Sequence, residues 1–177
     1  MRVAFSIMVH PSRLAHAQYT VELLRAQGVA DVPLAVDTDN SGPWETSKRA
    51  WGLCDAAASH RAVLQDDISF GPNFVRSVHC GITAHPAYPQ SFAPPLSRTL
   101  FRGAQALVLP TSVALDLLAW HPHHGWERFG RLDDVWLDAF FRLRGLSILY
   151  STPPLVEHVG VRRSVARGCC STGVVRG

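Results

Sequence analysis

The sequence contains no long apolar run, no secretory signal and only one lysine. Its longest apolar-rich stretch, residues 104–120, is interrupted by Gln105, Pro110 and Asp116. It therefore falls short of the ~20 apolar residues that a transmembrane helix needs. The amino-terminal residues lack the apolar segment and the small-residue cleavage site of a signal peptide. From these absences we expect a cytoplasmic protein without a transmembrane segment.

Several common functional motifs are also missing. None of the four cysteines forms a C-x-x-C pair, which argues against zinc-ribbon and thioredoxin-like sites and favours free thiols. The chain has no G-x-G-x-x-G, no G-x-x-x-x-G-K-[ST] and no G-x-S-x-G. Dinucleotide-binding, P-loop and hydrolase functions therefore lack support. It also carries no zinc-finger or RNA-recognition signature.

The composition indicates one globular domain. Its 177 residues match the usual domain size, and a hydrophobic content of 47% can supply a core. The net charge of +3 is concentrated at the carboxy terminus, where residues 159–177 hold four arginines and no acid. We therefore expect a domain over residues 1–160 and a basic tail over residues 161–177. Such a tail either is solvated or binds a polyanion.

Apolar runs with strand character alternate with helical patterns along the chain. The runs predict strands over residues 2–9, 32–36, 61–64, 104–109 and 147–150. The helical patterns predict helices over residues 14–26, 46–59, 74–80, 112–120 and 132–143. The proline-rich stretch 84–95 is predicted to be a loop. This alternation predicts a single α/β domain, Rossmann-like, with a mainly parallel central sheet and flanking helices.

Two adjacent carboxylates, Asp66 and Asp67, follow the predicted third strand. Ligands of parallel sheets bind where strands end, and carboxylates leaving an apolar strand need neutralisation. A divalent cation would neutralise them, because oxygen ligands suit Mg²⁺ or Mn²⁺; the alternative is a solvated turn that caps a helix. His158, after the last strand, would add an imidazole to a site for Mn²⁺. The histidine-rich segment 121–124 has no acids at a spacing suited to a shared metal and is predicted to be a surface loop.

A second acidic pair, Asp133-Asp134, opens the helix predicted over residues 132–143. Acidic residues in a first helical turn interact favourably with the helix dipole. Alternatively, one carboxylate is a general base that a rigid helix end holds against a substrate hydroxyl. The residues alone leave both interpretations open.

Taken in order, these motifs resemble the GT-A fold glycosyltransferases. Gln65-Asp66-Asp67, Gly103, Asp133-Asp134 and His158 follow the order of that family's DxD motif, glycine-containing loop, xED motif and late histidine. The resemblance extends over most of residues 3–160. It implies a single-domain GT-A fold and transfer of a sugar from a nucleoside-diphosphate sugar, with UDP-sugars favoured, to an acceptor hydroxyl.

The resemblance also implies a role for each matching position. The metal, Mn²⁺ or Mg²⁺, would be bound by Asp66, Asp67 and His158. The donor would be contacted by Arg13, Asp37, Lys48, Gln65 and Gly103, with Gln65 in place of the acid that usually begins the DxD motif. The catalytic base of an inverting mechanism would be Asp134. The acceptor side would include Asp133 and Trp136.

Two functions from other classes stay open. A nucleotidyltransferase shares the α/β scaffold and the paired acids. A catalytically inactive nucleotide-sugar-binding subunit is compatible with the neutral Gln65. The acceptor is equally open: a modified DNA base fits the compact chain and the basic tail, and a polysaccharide or glycolipid fits the breadth of the family. Because the chain is short for this fold, an oligomer or a partner chain could complete the site.

Overall fold

A computed structural model of the chain describes residues 1–93, 104–120 and 132–159. The strands are β1 Val3–Val9, β2 Leu34–Val36, β3 His60–Gln65, β4 Ile68–Phe70, β5 Gln90–Ser91, β6 Ala106–Pro110, β7 Leu149–Tyr150 and β8 Val156–His158. After a short 3₁₀ helix at Pro11–Arg13, the helices are α1 Leu14–Ala26, α2 Pro43–Leu53, α3 Phe74–Ala84, α4 Thr111–Ala119 and α5 Asp133–Leu143. Three sequence predictions, on Gly103, on the histidine-rich segment and on the basic tail, lie outside the described residues.

Six strands form the central sheet in the order β2-β1-β3-β6-β5-β7. β1 runs parallel to β2 and β3, and β5 runs parallel to β7. β6 is antiparallel to both of its neighbours. The predicted α/β fold with a mainly parallel sheet is therefore confirmed. Because β1, β2 and β3 are parallel, their carboxyl ends meet at one edge of the sheet.

The helices cover both faces of this sheet. Alternate residues of β1 point to opposite faces, so Phe5 and Ile7 pack in one apolar cluster with side chains of α1 and α3. Met8 belongs to a second cluster, which contains side chains of α2, α4 and α5. α5 contributes most to this second cluster through buried Trp136 and Phe140. None of the helices in the described residues is long and apolar enough to span a membrane.

The helices and strands differ from the sequence prediction in the shortest strands and in the bounds of α2, which ends at Leu53 and not at residue 59. β4, β5 and β8 have two or three residues each, too few for a recognisable alternation of apolar and polar side chains. β5 lies inside the segment predicted to be a loop. α2 begins at Pro43, three residues earlier than predicted, because proline suits the first turn of a helix. The preceding Gly42 has a φ of 94°, a conformation that glycine adopts without strain.

A separate two-stranded ribbon places the last predicted site residue. β4 and β8 pair antiparallel, with Ile68 opposite His158. The backbone N–H of Val159 donates to the carbonyl of Asp67 at 2.7 Å. The ribbon therefore brings His158 beside Asp67, although the two residues are far apart in the chain.

We expect Gly81→Ala to destabilise the protein. A Cβ at Gly81 in α3 would lie 2.6 Å from Gln90 Oε1 and 3.3 Å from the Phe92 ring. Gln90 is buried and its amide donates to the carbonyls of Gly81 and His85 at 3.1 Å, so it has little freedom to move. Overpacking of this kind lowers the free energy of unfolding by about 1–3 kcal/mol, which urea unfolding would measure.

The matched control is Gly52→Ala. A Cβ at Gly52 in α2 would meet nothing within 4 Å. Alanine has the higher helix propensity, so this change is expected to raise the free energy of unfolding by up to about 1 kcal/mol. Equal effects of the two substitutions would show that the contact of Gly81 with Gln90 does not constrain the fold.

Candidate active site

A pocket with a volume of about 160 Å³ lies at the carboxyl ends of β1, β2 and β3. The polar residues that line it come from the segments after these strands and from the start of α5. They are His10, Arg13, Asp37, Thr46, Gln65, Asp66, Asp67 and Asp133. The structure thus brings together six of the residues that the sequence analysis selected. Open α/β sheets commonly bind ligands at this edge.

Asp66 is buried at the edge of the pocket and has partners for both oxygens. Its Oδ2 accepts a hydrogen bond from the backbone N–H of His10 at 2.6 Å. Its Oδ1 lies 3.1 Å from Arg13 Nε. Burial raises the pKa of the Asp66 carboxyl, while the His10 N–H and the Arg13 charge act in the opposite direction. Asp66 therefore links the ends of β1 and β3, and Arg13 supplies a counter-charge that the metal was predicted to supply.

One carboxylate oxygen of Asp67 accepts a hydrogen bond from Arg13, and the other has no hydrogen-bond partner among the described residues. Arg13 Nη1 donates to Oδ2 at 2.8 Å. The buried Oδ1 accepts no hydrogen bond from the described residues, and His158 Nδ1 lies 3.4 Å away. Of the two predicted carboxylate ligands, Asp67 is thus the one with an oxygen available to a ligand.

Asp67 Oδ1 and His158 Nδ1 are spaced to bind one divalent cation together. Two ligands of one cation, each bound at about 2.1 Å, stand about 3.0–3.4 Å apart for angles between the octahedral and the tetrahedral value. The separation of Asp67 Oδ1 from His158 Nδ1 is 3.4 Å, and a carboxylate with an imidazole suits Mn²⁺. No group of three or more His, Cys, Asp or Glu side chains in the described part of the chain is arranged to hold a metal. A cation here would therefore need further ligands from water or from a bound phosphate.

Asp133 is the acid of the second pair that lines the pocket. Its side chain is buried, with 4% of the residue exposed, and Oδ2 accepts a hydrogen bond from Gln65 Nε2 at 3.2 Å. Burial raises the pKa of Asp133 to about 7, and the neighbouring Asp134 carboxyl adds to the rise. Asp134 is only partly buried and is not among the residues that line the pocket. The structure thus places Asp133 at the pocket and Asp134 beside it.

Asp37 and Lys48, two predicted donor contacts, lie in different surroundings. Asp37 lines the pocket and accepts hydrogen bonds from the backbone N–H groups of Ser41 and Gly42 at 2.9 and 3.1 Å. These bonds fix the loop after β2. Lys48 instead pairs with Glu45 at 2.8 Å and does not line the pocket.

Trp136, predicted on the acceptor side, is a core residue. It stacks on Trp44 with ring centroids 5.8 Å apart and meets Trp120 edge to face at 6.1 Å. All three indoles are buried. Trp136 therefore fixes how α5 packs, and its first effect on the pocket is to set the rotation of the helix that carries Asp133.

Sequence reasoning missed Gln105. Gln105 Nε2 lies 2.7 Å from His158 Nε2, and the Gln105 carbonyl accepts the Gln65 N–H at 2.9 Å. Gln105 belongs to no charge cluster or spaced motif, so only the strand pairing could have indicated it. His10 opens the polar segment after the first strand, but it acts through its backbone N–H, which any residue except proline would supply.

No protein-family model matches this sequence, and no curated protein matches it in a sequence search. Solved structures do match. A Drosophila β1,4-galactosyltransferase 7 mutant in complex with manganese, UDP-Gal and xylobiose has a TM-score of 0.58 at 11% identity, covering 97% of this chain and 77% of that one. A CMP:2-keto-3-deoxy-manno-octonic acid synthetase complexed with CTP has a TM-score of 0.58 at 13% identity, covering 85% and 89%.

A third structural neighbour is S. aureus TarS, with a TM-score of 0.57 at 8% identity; the match covers 90% of this chain and 60% of the TarS chain. Identities this low establish the fold alone. The chain has the Rossmann-like GT-A fold, as its motifs implied. Because this fold is shared with a nucleotidyl-transferring synthetase, the comparisons do not by themselves select the reaction.

The raised pKa of Asp133 predicts how stability depends on pH. A carboxyl with a raised pKa in the folded state stabilises fully below its unfolded value and loses that contribution as pH rises through the folded value. For Asp133 the loss falls between about pH 4 and about pH 7. Asp133→Asn is uncharged throughout, so its free energy of unfolding relative to wild type should rise over this window, by up to about 1.4 kcal/mol per pH unit. Urea unfolding at several pH values measures the difference.

Asp116→Asn is the control of opposite sign. The hydrogen bond from Arg144 lowers the pKa of Asp116, so this exposed pair stabilises at neutral pH and is lost as pH falls. The Asp116 variant should therefore lose stability relative to wild type as pH rises, by a small amount because the pair is exposed. A flat or falling difference for Asp133→Asn would contradict the assigned protonation of Asp133.

Proposed function

We propose that this protein is a metal-dependent glycosyltransferase that moves a sugar from a nucleoside-diphosphate sugar, with UDP-sugars favoured, to an acceptor hydroxyl. One observation carries the proposal: a single pocket is lined by two carboxyl groups, one with an oxygen available to a ligand and one with a raised pKa. Asp67 has a buried oxygen free beside His158, and Asp133 has a pKa raised to about 7. The first suits a cation and its diphosphate, and the second suits proton transfer.

Donor binding is assigned to the residues at the ends of the parallel strands. Asp67 and His158 would hold Mn²⁺ or Mg²⁺, which when bound neutralises negative charge on a leaving diphosphate. Arg13 is almost half exposed at the pocket, so its guanidinium can also face a phosphate. Asp37 lies at the end of β2, where it would contact the nucleoside. Gln65 holds Asp133 by a hydrogen bond and keeps a neutral amide at the pocket.

The catalytic base is proposed to be Asp133. The sequence analysis assigned this role to Asp134, its neighbour on α5. Of these two neighbours, Asp133 lines the pocket and Asp134 does not. A base works best when its pKa lies near the working pH. The ionised carboxylate of Asp133 would accept the proton of an acceptor hydroxyl as that oxygen attacks the anomeric carbon from the face opposite the diphosphate, which gives inversion and releases the nucleoside diphosphate.

A nucleotidyltransferase is the second candidate, because the synthetase complexed with CTP matches the fold with the same TM-score, 0.58, as the galactosyltransferase. Incubation with Mn²⁺ and a panel of nucleotide sugars, and separately with nucleoside triphosphates and sugar phosphates, separates the two. Release of nucleoside diphosphate from a nucleotide sugar supports sugar transfer, and release of pyrophosphate supports nucleotidyl transfer. Binding without release in either panel would identify an inactive binder.

We extend the proposal to the acceptor and to the location of the protein in the cell. The galactosyltransferase structures hold xylobiose, which supports a glycan acceptor in that protein. For this chain a polysaccharide, a glycolipid and a modified DNA base remain the acceptor classes to assay. We propose a cytoplasmic location, and completion of the acceptor side by a second copy or a partner chain.

UDP binding should depend on the metal through Asp67. The carboxylates at the pocket repel a diphosphate unless a cation intervenes, so we expect calorimetry to show UDP binding with Mn²⁺ and at least about tenfold weaker binding with EDTA. Asp67→Asn with Mn²⁺ should bind UDP as weakly as wild type with EDTA.

Three controls test where the metal lies. Asp55→Asn changes an exposed carboxylate paired with Arg2, which lines a different cavity at the start of β1. His121→Ala and His123→Ala remove imidazoles of the histidine-rich segment. All three should keep metal-dependent UDP binding. Loss of binding in the histidine variants, or equal UDP affinity with Mn²⁺ and EDTA in wild type, would contradict the proposed metal position.

Turnover should separate Asp133 from Asp134. Asp133→Asn keeps the side-chain shape and should keep UDP binding, yet the amide cannot take a proton. We therefore expect transfer to fall by roughly 10²–10⁴-fold. Asp134→Asn should lose much less, since neighbouring helix positions point about 100° apart. A larger loss at Asp134 would return the base to that residue, and equal losses would show that the pair serves only the helix end.

A further inference from the structure

Two buried oxygens that have no hydrogen-bond partner among the described residues lie at opposite ends of one imidazole. They are Asp67 Oδ1 and Gln105 Oε1. Between them His158 places Nδ1 3.4 Å from the Asp67 oxygen and Nε2 2.7 Å from Gln105 Nε2. Buried polar atoms are normally paired, so an unpaired atom at each end of the same ring calls for one common explanation.

The protonation of the ring accounts for one end. A neutral imidazole carries its proton on one nitrogen only. When the Gln105 amide nitrogen faces His158 Nε2, its N–H donates to that nitrogen, and a neutral ring then carries its proton on Nδ1. At 3.4 Å from Asp67 Oδ1, Nδ1 is farther than the about 2.7–3.2 Å of an N–H···O hydrogen bond. The Asp67 oxygen therefore stays unpaired while the proton is on Nδ1.

A half-turn of the Gln105 amide reverses this arrangement. The amide oxygen and nitrogen exchange places, and Oε1 accepts a hydrogen bond from His158 Nε2–H. The ring keeps one bond to Gln105 in either orientation, and the amide atom that faces away from the ring, Oε1 before the turn, would be Nε2 after it. After the turn, the lone pair of Nδ1 faces Asp67 Oδ1. Two acceptors at that distance need a cation or a shared proton between them.

We propose that Gln105 is a positioning residue whose amide orientation is coupled to the cation site. It donates to His158 Nε2 when the site holds no cation, and it accepts from Nε2–H when a divalent cation lies between Asp67 and His158. The inference rests on the proposed metal-dependent function. Gln105 is suited to this role because its side chain is buried and its carbonyl is bonded to Gln65, on the strand that leads to Asp67.

The general physical basis is the coupling of the two ring nitrogens. A metal-binding histidine is oriented by the hydrogen bond that its other nitrogen makes, and loss of that bond typically weakens metal binding by 10–100-fold, about one to two orders of magnitude. Glutamine can serve both protonation patterns because it carries a donor and an acceptor. A glutamate carboxylate accepts but does not donate, so it would serve only the metal-binding pattern. A methionine thioether would serve neither pattern.

The direct test is the position of the His158 proton. Two-bond ¹H–¹⁵N spectra of the ¹⁵N-histidine-labelled full chain report which ring nitrogen is protonated, and His158→Gln identifies the signal. In the presence of UDP, we expect the proton on Nδ1 without metal and on Nε2 with one equivalent of Zn²⁺, a diamagnetic ion that suits imidazole and carboxylate. Gln105→Glu should hold it on Nε2 in both samples.

Metal affinity is the second readout. In the presence of UDP, Gln105→Met should weaken Mn²⁺ binding, followed by the electron-spin-resonance signal of free Mn²⁺, by about 10–100-fold, and Gln105→Glu should not weaken it. Gln90→Met is the matched control, because Gln90 is equally buried and donates to two carbonyls away from the pocket. Its Mn²⁺ affinity should equal that of wild type.

The outcomes distinguish this inference from the proposed function. If wild type with UDP binds no Mn²⁺, both are overturned. If wild type binds Mn²⁺ but the His158 proton stays on the same nitrogen, only the role of Gln105 is overturned. Equal weakening in Gln105→Met and Gln90→Met would also overturn it, since the effect would then come from lost stability.

Discussion

The arrangement of the site depends on how the protein neutralises two adjacent carboxylates at the edge of its sheet. Asp66 and Asp67 leave β3 together, and Asp66 is almost fully buried. Arg13 reaches both of them, at 3.1 and 2.8 Å, and the His10 N–H supplies the remaining partner of Asp66. Burying an unpaired charge costs roughly several kcal/mol. These contacts therefore hold the segment after β1 against the end of β3. The pocket is therefore held together by contacts within the protein.

The same contacts give the acids at the pocket different chemical properties. Arg13 and His10 satisfy Asp66, which leaves it a supporting role, whereas Asp67 keeps one oxygen for a ligand. Asp133 forms no ion pair with a cation among the described residues, and Gln65 and the backbone N–H of Asp134 are its uncharged hydrogen-bond donors. Its burial then raises the pKa to about 7. One sheet edge thus holds a carboxylate suited to a cation and a carboxyl suited to proton transfer, and the difference comes from which of them Arg13 reaches.

The sequence predicts the scaffold better than it predicts the orientation of side chains. Alternating strands and helices, and acids after strands, are encoded locally, so the α/β fold and most pocket residues could be found. The choice between Asp133 and Asp134 depends on the rotation of α5, which packing of Trp136 against Trp44 sets. Gln105 enters through the pairing of β3 with β6, and His158 through the three-residue strands β4 and β8. Such contacts join distant segments and leave no local pattern.

In the proposed function, the small number of protein ligands would link cation and nucleotide binding. Asp67 and His158 would supply two ligands, whereas Mg²⁺ and Mn²⁺ prefer about six, several of them oxygens. A diphosphate can supply the missing negative oxygens, and the cation removes the repulsion between that diphosphate and the acids. Under the proposed function, each would therefore raise the affinity for the other by the same factor, as thermodynamic linkage requires. A site with two protein ligands and an internal arginine counter-charge would thus be filled by cation and donor together.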